Sequence, residues 1–408
     1  MRAPGHHPRA LVLLALAMGC EVWGSAGVAR FDDPMPSPPR PPEAPPRPKA
    51  FERPNLTPQR YVDDLAVGAA HACARLYDGT LYCWGSNAFG QLGVERETEA
   101  GVPVRAGGRV LVRRVFVGPT QTAIVTQDAQ VGHWGLYAPR GDDGVTPWST
   151  RDTHDVGELV GVAFGDRSAL AWDARGAVLG WGAPDGVSFT SGFVLKPVRI
   201  HLGLPAGQVL EHAALWSRAG KSHGCLVATG VLWCWGANEQ GQVGHPVETL
   251  GIFVRPIAAE VDRAAVGERH ACALTRDRGV WCWGANDMGQ LGDGTAGSRD
   301  VPARVELPGE ALALASGDRH VCALLRDGAV WCWGVNDHGQ LGSVQDELFA
   351  MRPVRVTGLP KATSVACGDG FSCARTESGD AYCWGRNDEG QLGDGTTTSR
   401  WQPQQVHL

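Results

Sequence analysis

Short apolar runs separated by polar, glycine-containing turns recur along this chain, and no stretch of them carries a helical period. One unit shows the pattern in full. Ala264-Ala-Val266 is an apolar run that stops at Gly267, and His270-Ala-Cys-Ala-Leu274 follows it. Arg276-Asp-Arg-Gly279 is a turn, after which Val280-Trp-Cys-Trp283 alternates again. A polar Asn-Asp-x-Gly-Gln turn comes next, and a piece from Pro302 to Val305 starts the return. Runs this short, bounded by turn residues, predict strands, and here they predict four per unit.

The unit repeats. A Trp-Gly pair marks each copy, at Trp84, Trp134, Trp181, Trp235, Trp283, Trp333 and Trp384, in steps of 47 to 54 residues. Seven copies fill the chain from residue 59 to residue 408. A period of about 50 residues points to a propeller rather than a helical solenoid. A lone four-stranded sheet cannot bury both faces, but seven packed radially can. The expected fold is therefore all-β, a seven-bladed β-propeller of four-stranded repeats. The last copy ends in Pro403-Gln-Gln-Val406, like the return strand at Pro302, and the first begins with Tyr61-Val-Asp-Asp-Leu-Ala-Val67. The N- and C-terminal strands are expected to share one blade and so close the ring, which removes exposed sheet edges.

Two motifs, G-x-x-H-x-C-A-L and W-C-W-G-x-N-x-x-G-Q-L-G-D-G-T, recur in one register. The pattern resembles the regulator of chromosome condensation repeat, over about 350 residues, and that resemblance implies a seven-bladed propeller. The second and third copies depart from it. Gly118 to Gly135 and Gly165 to Gly182 both lack the Asn-x-x-Gly-Gln turn, and the longest step, Trp181 to Trp235, carries extra residues between Val187 and Gly220.

Residues 1–20 have the form of an export signal. Arg2 and Arg9 precede the apolar Leu11-Val-Leu-Leu-Ala-Leu-Ala-Met18, which is too short for a permanent membrane span. Gly19-Cys20 then resembles the lipobox of bacterial lipoproteins, in which the cysteine is acylated, although Ala17 stands where that family has Leu. Ordinary cleavage after Ala26 or Ala29 is the alternative. Both routes export the protein. Residues 21–58 are expected to form an extended tether, because eleven prolines lie between Pro34 and Pro58 among charged residues.

Ten of the twelve cysteines fall at two matching positions of five copies: Cys73 and Cys83, Cys225 and Cys234, Cys272 and Cys282, Cys322 and Cys332, Cys373 and Cys383. Each pair flanks a turn and so stands on adjacent antiparallel strands, close enough to bridge. Where the second copy has Ala123 it also has His133, and the third has Leu170 with Gly180. Joint loss is the behaviour of bonded partners. His71, His223, His270 and His320 each stand two residues before a Cys, but they bring only three ligands together where zinc wants four. Disulfides without metal are expected, with Cys20 left for lipid and Cys367 as a buried thiol under the last blade. The histidines are expected to make hydrogen bonds within each blade.

No catalytic motif and no cofactor site is recognisable. Gly-Gln-Leu-Gly-Asp-Gly-Thr, at 289–295 and 390–396, lacks the Lys of a phosphate loop and the terminal Glu of a calcium loop, and reads as a capped turn. A net charge of −6 argues against a nucleic-acid surface. Trp233, Trp281 and Trp331, with the seven Trp-Gly tryptophans, are expected in the blade cores. Trp148, Trp172, Trp216 and Trp401 break the repeat register and are the candidate binding aromatics.

The resemblance implies a function by presenting a propeller face. Exchange factors for a small GTPase belong to the family, but export removes that partner. The plant ultraviolet-B photoreceptor carries Gly-Trp-Arg-His-Thr, where this chain has Gly267-Glu-Arg-His270 and Gly317-Asp-Arg-His320. The reading is thus a non-enzymatic, monomeric interaction module tethered at a bacterial cell envelope, meeting the membrane only through Cys20. Its partner is an unidentified protein. The alternatives are an inhibitor of a secreted hydrolase, like the bacterial propellers that block beta-lactamases, and an envelope carbohydrate-active enzyme.

Overall fold

The fold is seen in a computed structural model. It describes residues 61–408 apart from 95–99, 137–145, 150–157, 183–193, 203, 219–220, 246–256, 258 and 344–346. Cys20 and the proline-rich segment 21–58 lie outside the described residues.

Seven antiparallel sheets follow one another in chain order, six of four strands and one, the fourth, of three among the described residues. We call them blades 1–7 and their strands a to d. In blade 5, strand a is Val261–Val266, b is His270–Thr275, c is Val280–Gly284 and d is Arg299–Arg304. The ends of the a strands of all seven blades surround one cavity, so strand a is the axial strand and d the rim. The rim strands meet the edge problem with proline, which offers no N–H to a foreign strand. Pro103, Pro147, Pro197, Pro302, Pro353 and Pro403 each lie in a d strand.

The ring closes, but without a shared blade. The last strand, Arg400–Gln405, pairs with Ala381–Gly385 of its own repeat, and the first, Val62–Val67, pairs with His71–Leu76. The expected exchange of terminal strands is corrected accordingly. The first repeat already supplies its own d strand, Ala100–Arg105, so no vacancy is left in the first blade for the chain end to fill. Blade 7 meets blade 1 by packing: Val62, Leu65 and Trp84 share a buried cluster with Phe371, Cys373, Cys383 and Leu392.

That packing is the same at every regular junction and explains the long motif residue by residue. The Asn87 side-chain oxygen accepts the Leu92 N–H at 3.0 Å, and the Gln91 side chain accepts the Phe89 N–H at 2.9 Å, which fixes the turn. The Gln91 backbone carbonyl then faces the next blade and accepts the Trp134 indole N–H at 2.7 Å. Gln242 accepts Trp283, Gln290 accepts Trp333 and Gln340 accepts Trp384, all at 2.8–2.9 Å. Gln391 of the last blade accepts Trp84 of the first at 2.8 Å. The Leu beside the Gln is fully buried at the junction, as at Leu92, Leu291 and Leu392. The closing Gly admits the ring: a Cβ on Gly393 would stand 2.9 Å from Trp84, and Gly393 also has φ near +64°.

The Trp-Gly tryptophans are the deep core, at 0–6% exposure. Trp233, Trp281 and Trp331 are only half-buried, a correction to their expected core placement. They alternate with the cysteines along strand c and so point to the other side of the strand from the bridge.

Trp84→Phe keeps an aromatic ring and deletes the indole N–H, leaving the Gln391 carbonyl unpaired at the junction of the last and first blades. Urea unfolding should show a loss of about 1–3 kcal/mol. A change within a few tenths of that scale would mean that the indole bond does not hold the ring.

Candidate functional site: the axial mouth

In six blades strand a turns into strand b through the same short loop, whose first residue is Gly68, Gly118, Gly165, Gly267, Gly317 or Gly368. Each of these N–H groups donates to the carbonyl three residues on, as Gly68 does to His71 at 2.8 Å. The six glycines crowd round the axis. A Cβ on Gly68 would stand 2.0 Å from the Gly118 carbonyl oxygen, one on Gly317 would stand 2.3 Å from that of Gly368, and one on Gly368 would stand 2.4 Å from that of Gly68. No side chain fits at those three positions.

Blade 4 breaks the rule. Its Trp216 pairs with His223, the place in the register that Gly68 holds opposite His71. The two strands then run on through Ser217–Ser222 to Arg218–Lys221, so this hairpin stands further out than the others. Trp216 reaches past blade 5, and its indole N–H donates to an Asp318 carboxylate oxygen of blade 6 at 3.0 Å. The Arg218 guanidinium lies 3.1 Å from Asp318 and 3.5 Å from Asp369 of blade 7. Ser217 accepts the Asp166 N–H of blade 3. Below them is a cavity of about 230 Å³, walled by Val67, Val117, Phe164, Val266 and Cys367. Burial, and then the neighbouring Asp369 carboxylate, push Asp318 up to about 6, against the opposing pull of Trp216 and Arg218.

The four candidate aromatics separate. Trp216 alone stands at the mouth. Trp148 lies in the d strand of blade 2 opposite Val131, and its side chain is not among those described. Trp401, half-buried, lies against the Gly339 turn of blade 6. Trp172 is corrected as a binding anchor. It is 4% exposed, because Gly161 on the adjacent strand leaves room for its ring, which joins the core of blades 3 and 4. Arg218, Asp318 and Asp369 were not singled out from the sequence. Superposing the seven copies would have found their neighbour Trp216, the one large residue at a glycine position.

The ten paired cysteines face one another in register across strands b and c, with sulfurs 2.07–2.14 Å apart and Cα atoms 4.1 Å apart. Cys367 is the free thiol among the described residues, and burial pushes it up to about 12. His320, Cys322 and Cys367 bring three ligand atoms within 4.8 Å of one another. Cys322 is bridged to Cys332, however, and His320 Nε2 lies 2.9 Å from Ser372 Oγ, which leaves too few donors for a zinc site. Asp293 and Asp394 cap their own turns, each accepting from the N–H and hydroxyl of the Thr two residues on.

The histidines bond between blades, not within them as expected. His71 Nε2 lies 2.9 Å from Thr122 Oγ1 of blade 2, His270 Nε2 lies 3.0 Å from Ser316 Oγ of blade 6, and His320 reaches Ser372 of blade 7. Thr122 donates its own proton to the Gln91 carbonyl, so it must accept from His71, which fixes the Nε2–H tautomer. Strand b begins at the blade surface, and its first side chain therefore points across to the neighbour.

The fold and this axial site define a seven-bladed propeller of the repeat type that presents a face around its axis. A family profile for the RCC1-like domain matches residues 140–408, and profiles for the regulator of chromosome condensation (RCC1) repeat match residues 62–91 and 78–125. The chain belongs to the RCC1-like domain family. It is 32% identical to the E3 ubiquitin-protein ligase HERC2 of Homo sapiens over 348 residues, which is 80% of this chain but only 7% of the ligase. It is 25% identical to Protein pim1 of Schizosaccharomyces pombe over 84% of this chain and 63% of that protein. Among solved structures, Prp20p from Saccharomyces cerevisiae superposes with a TM-score of 0.51 at 20% identity, covering 85% of this chain and 76% of that one. That likeness is one of fold.

Burial holds His71 and His270 at about 3, and His223 and His320 at about 4, well below the ordinary imidazole value. Once unfolded, these imidazoles take up protons from about pH 6.5 downward, whereas the folded ones do so only near their depressed values. Their contribution is therefore complete above about pH 6.5 and is lost progressively as pH falls. Calorimetry should show Tm dropping across that window. His320→Gln, which copies the buried Gln121 of blade 2, should make the drop shallower. Parallel profiles would rule out His320 as a source of the slope.

Proposed function

We propose that the chain is a non-enzymatic interaction module at a bacterial cell envelope, docking a protein partner on the face that holds the axial mouth. One observation carries the choice of face. Around the axis the fold demands glycine, and blade 4 has Trp216 there with Arg218 beyond it. A departure that the ring does not require is best explained by what the face meets. The mouth combines what partner sites use: a half-buried tryptophan, an exposed arginine and partly buried carboxylates on a rigid support. Membership of the RCC1-like family, whose fold is of a protein-interaction type, supports the same reading. The five cysteine pairs at disulfide distance are compatible with export. On this reading Cys20 carries the lipid and residues 21–58 hold the propeller away from the membrane.

The test is affinity capture from envelope and culture fluid, with the oxidised full chain as bait and Arg218→Glu and Asp369→Lys variants beside it. A protein held in near-equal amount by the parent and lost with both variants supports the proposal. Retention by both variants moves docking to another face. If the captured protein is a hydrolase whose turnover stops on binding, the module is an inhibitor. In parallel, Cys20→Ala should move the chain from the membrane fraction to the soluble one; if it still sediments with membranes, the anchor assignment is wrong.

A further inference from the structure

We propose that the axial mouth takes one apolar side chain of leucine size from a protein partner, with a basic residue beside it on the Asp318 and Asp369 carboxylates. The proposal names the chemistry of the partner for the docking face assigned above, and it rests on that reading.

The cavity sets the apolar half. Its volume of about 230 Å³ exceeds the roughly 150 Å³ of an apolar cavity that holds benzene, so one side chain fits. Val67, Val117, Phe164 and Val266 supply the apolar wall. The space is open to solvent rather than sealed, so an occupant needs no rearrangement of the ring to enter.

The rim sets the charged half. Among the described residues, three carboxylates, Asp166, Asp318 and Asp369, line the space against one cation, Arg218. Arg218 is 63% exposed and stands 3.1 Å from Asp318 and 3.5 Å from Asp369, so solvent weakens its compensation. Asp369 is also shared with Arg386 at 3.3 Å, and Arg386 is drawn in turn to Asp388 at 2.7 Å. Asp318 faces Trp216, Arg218, Asp369 and Glu268; burial first, and then Asp369, hold it up at about 6. An acidic occupant would add to this excess of negative charge. A purely apolar one would bury the carboxylates further with nothing to pair them. A cation beside the apolar side chain offsets both costs, and half-buried Trp216 offers its ring to the aliphatic stem of that cation.

The sign of the pH dependence separates these occupants. A cation prefers Asp318 ionised, so its affinity falls as pH drops through about 6, whereas a purely apolar occupant prefers the neutral carboxyl and gains.

Capped dipeptides test both halves on the full chain with no partner present. Acetyl-Leu-Lys-amide is compared with acetyl-Leu-Gln-amide and acetyl-Ala-Lys-amide. Binding is followed by NMR at the Trp216 indole N–H, assigned from its loss in Trp216→Phe. The Leu-Lys peptide should bind at least about threefold more tightly than either control. Its affinity should fall about fivefold between about pH 7.5 and about pH 5. Asp318→Asn keeps an oxygen for the Trp216 indole; it should bring the Leu-Lys peptide down to the Leu-Gln level and remove the pH dependence. Equal affinities for the three peptides, no saturable shift at Trp216, or binding that strengthens in acid would overturn the proposal. A face that captures a protein through Arg218 and Asp369 yet ignores these peptides keeps the docking reading and loses this occupant. Peptides that bind as expected when no protein is captured sustain the pocket and count against the docking reading alone.

Discussion

The hydrogen bond from a buried indole to the glutamine carbonyl of the preceding blade is the contact on which the ring depends. Blades touch through apolar faces, and apolar contact alone sets no register between one sheet and the next. The indole supplies that register, because it has one donor and must satisfy it when buried. The Asn and Gln side chains hold the acceptor turn in shape, the leucine seals the junction, and the final glycine makes room for the ring. Among the described residues this contact recurs at five of the seven junctions, including that between the last blade and the first. The second and third copies, which lack the motif, lack the cysteine pair as well.

This explains how much could be read from the sequence. The architecture was legible because one junction motif, repeated, is a long and specific string, and because Trp-Gly keeps its spacing even in the degenerate copies. The cysteine pairing was legible because each pair is local, across a single turn. Contacts between repeats were not. The histidines were assigned within a blade, since spacing along the chain says nothing about which neighbour a first strand residue faces. The shared closing blade was expected from an unpaired look at the two termini, whereas the first and last repeats each carry their own fourth strand.

The candidate site was half legible for the same reason. Trp216 stood out as a tryptophan off the repeat register, together with three others that local pattern could not tell apart. Trp172 has the same composition signal, yet it fills the space left by a glycine on the next strand. What singles out Trp216 is the seven-fold comparison at the axis, where its counterparts are glycines, and a Cβ on Gly68, Gly267, Gly317 or Gly368 would strike the neighbouring blade's carbonyl. Asp318 and Asp369 are ordinary loop carboxylates in sequence. Only the ring brings them beside a residue 100 positions earlier.

Closure without a shared blade has a topological result. The seam between the last repeat and the first is built from the same indole bond and the same apolar seal as the interior junctions. It is in no way weaker for falling between Arg400–Gln405 and Val62–Val67. Mechanically the ring is a cyclic array with no privileged starting point.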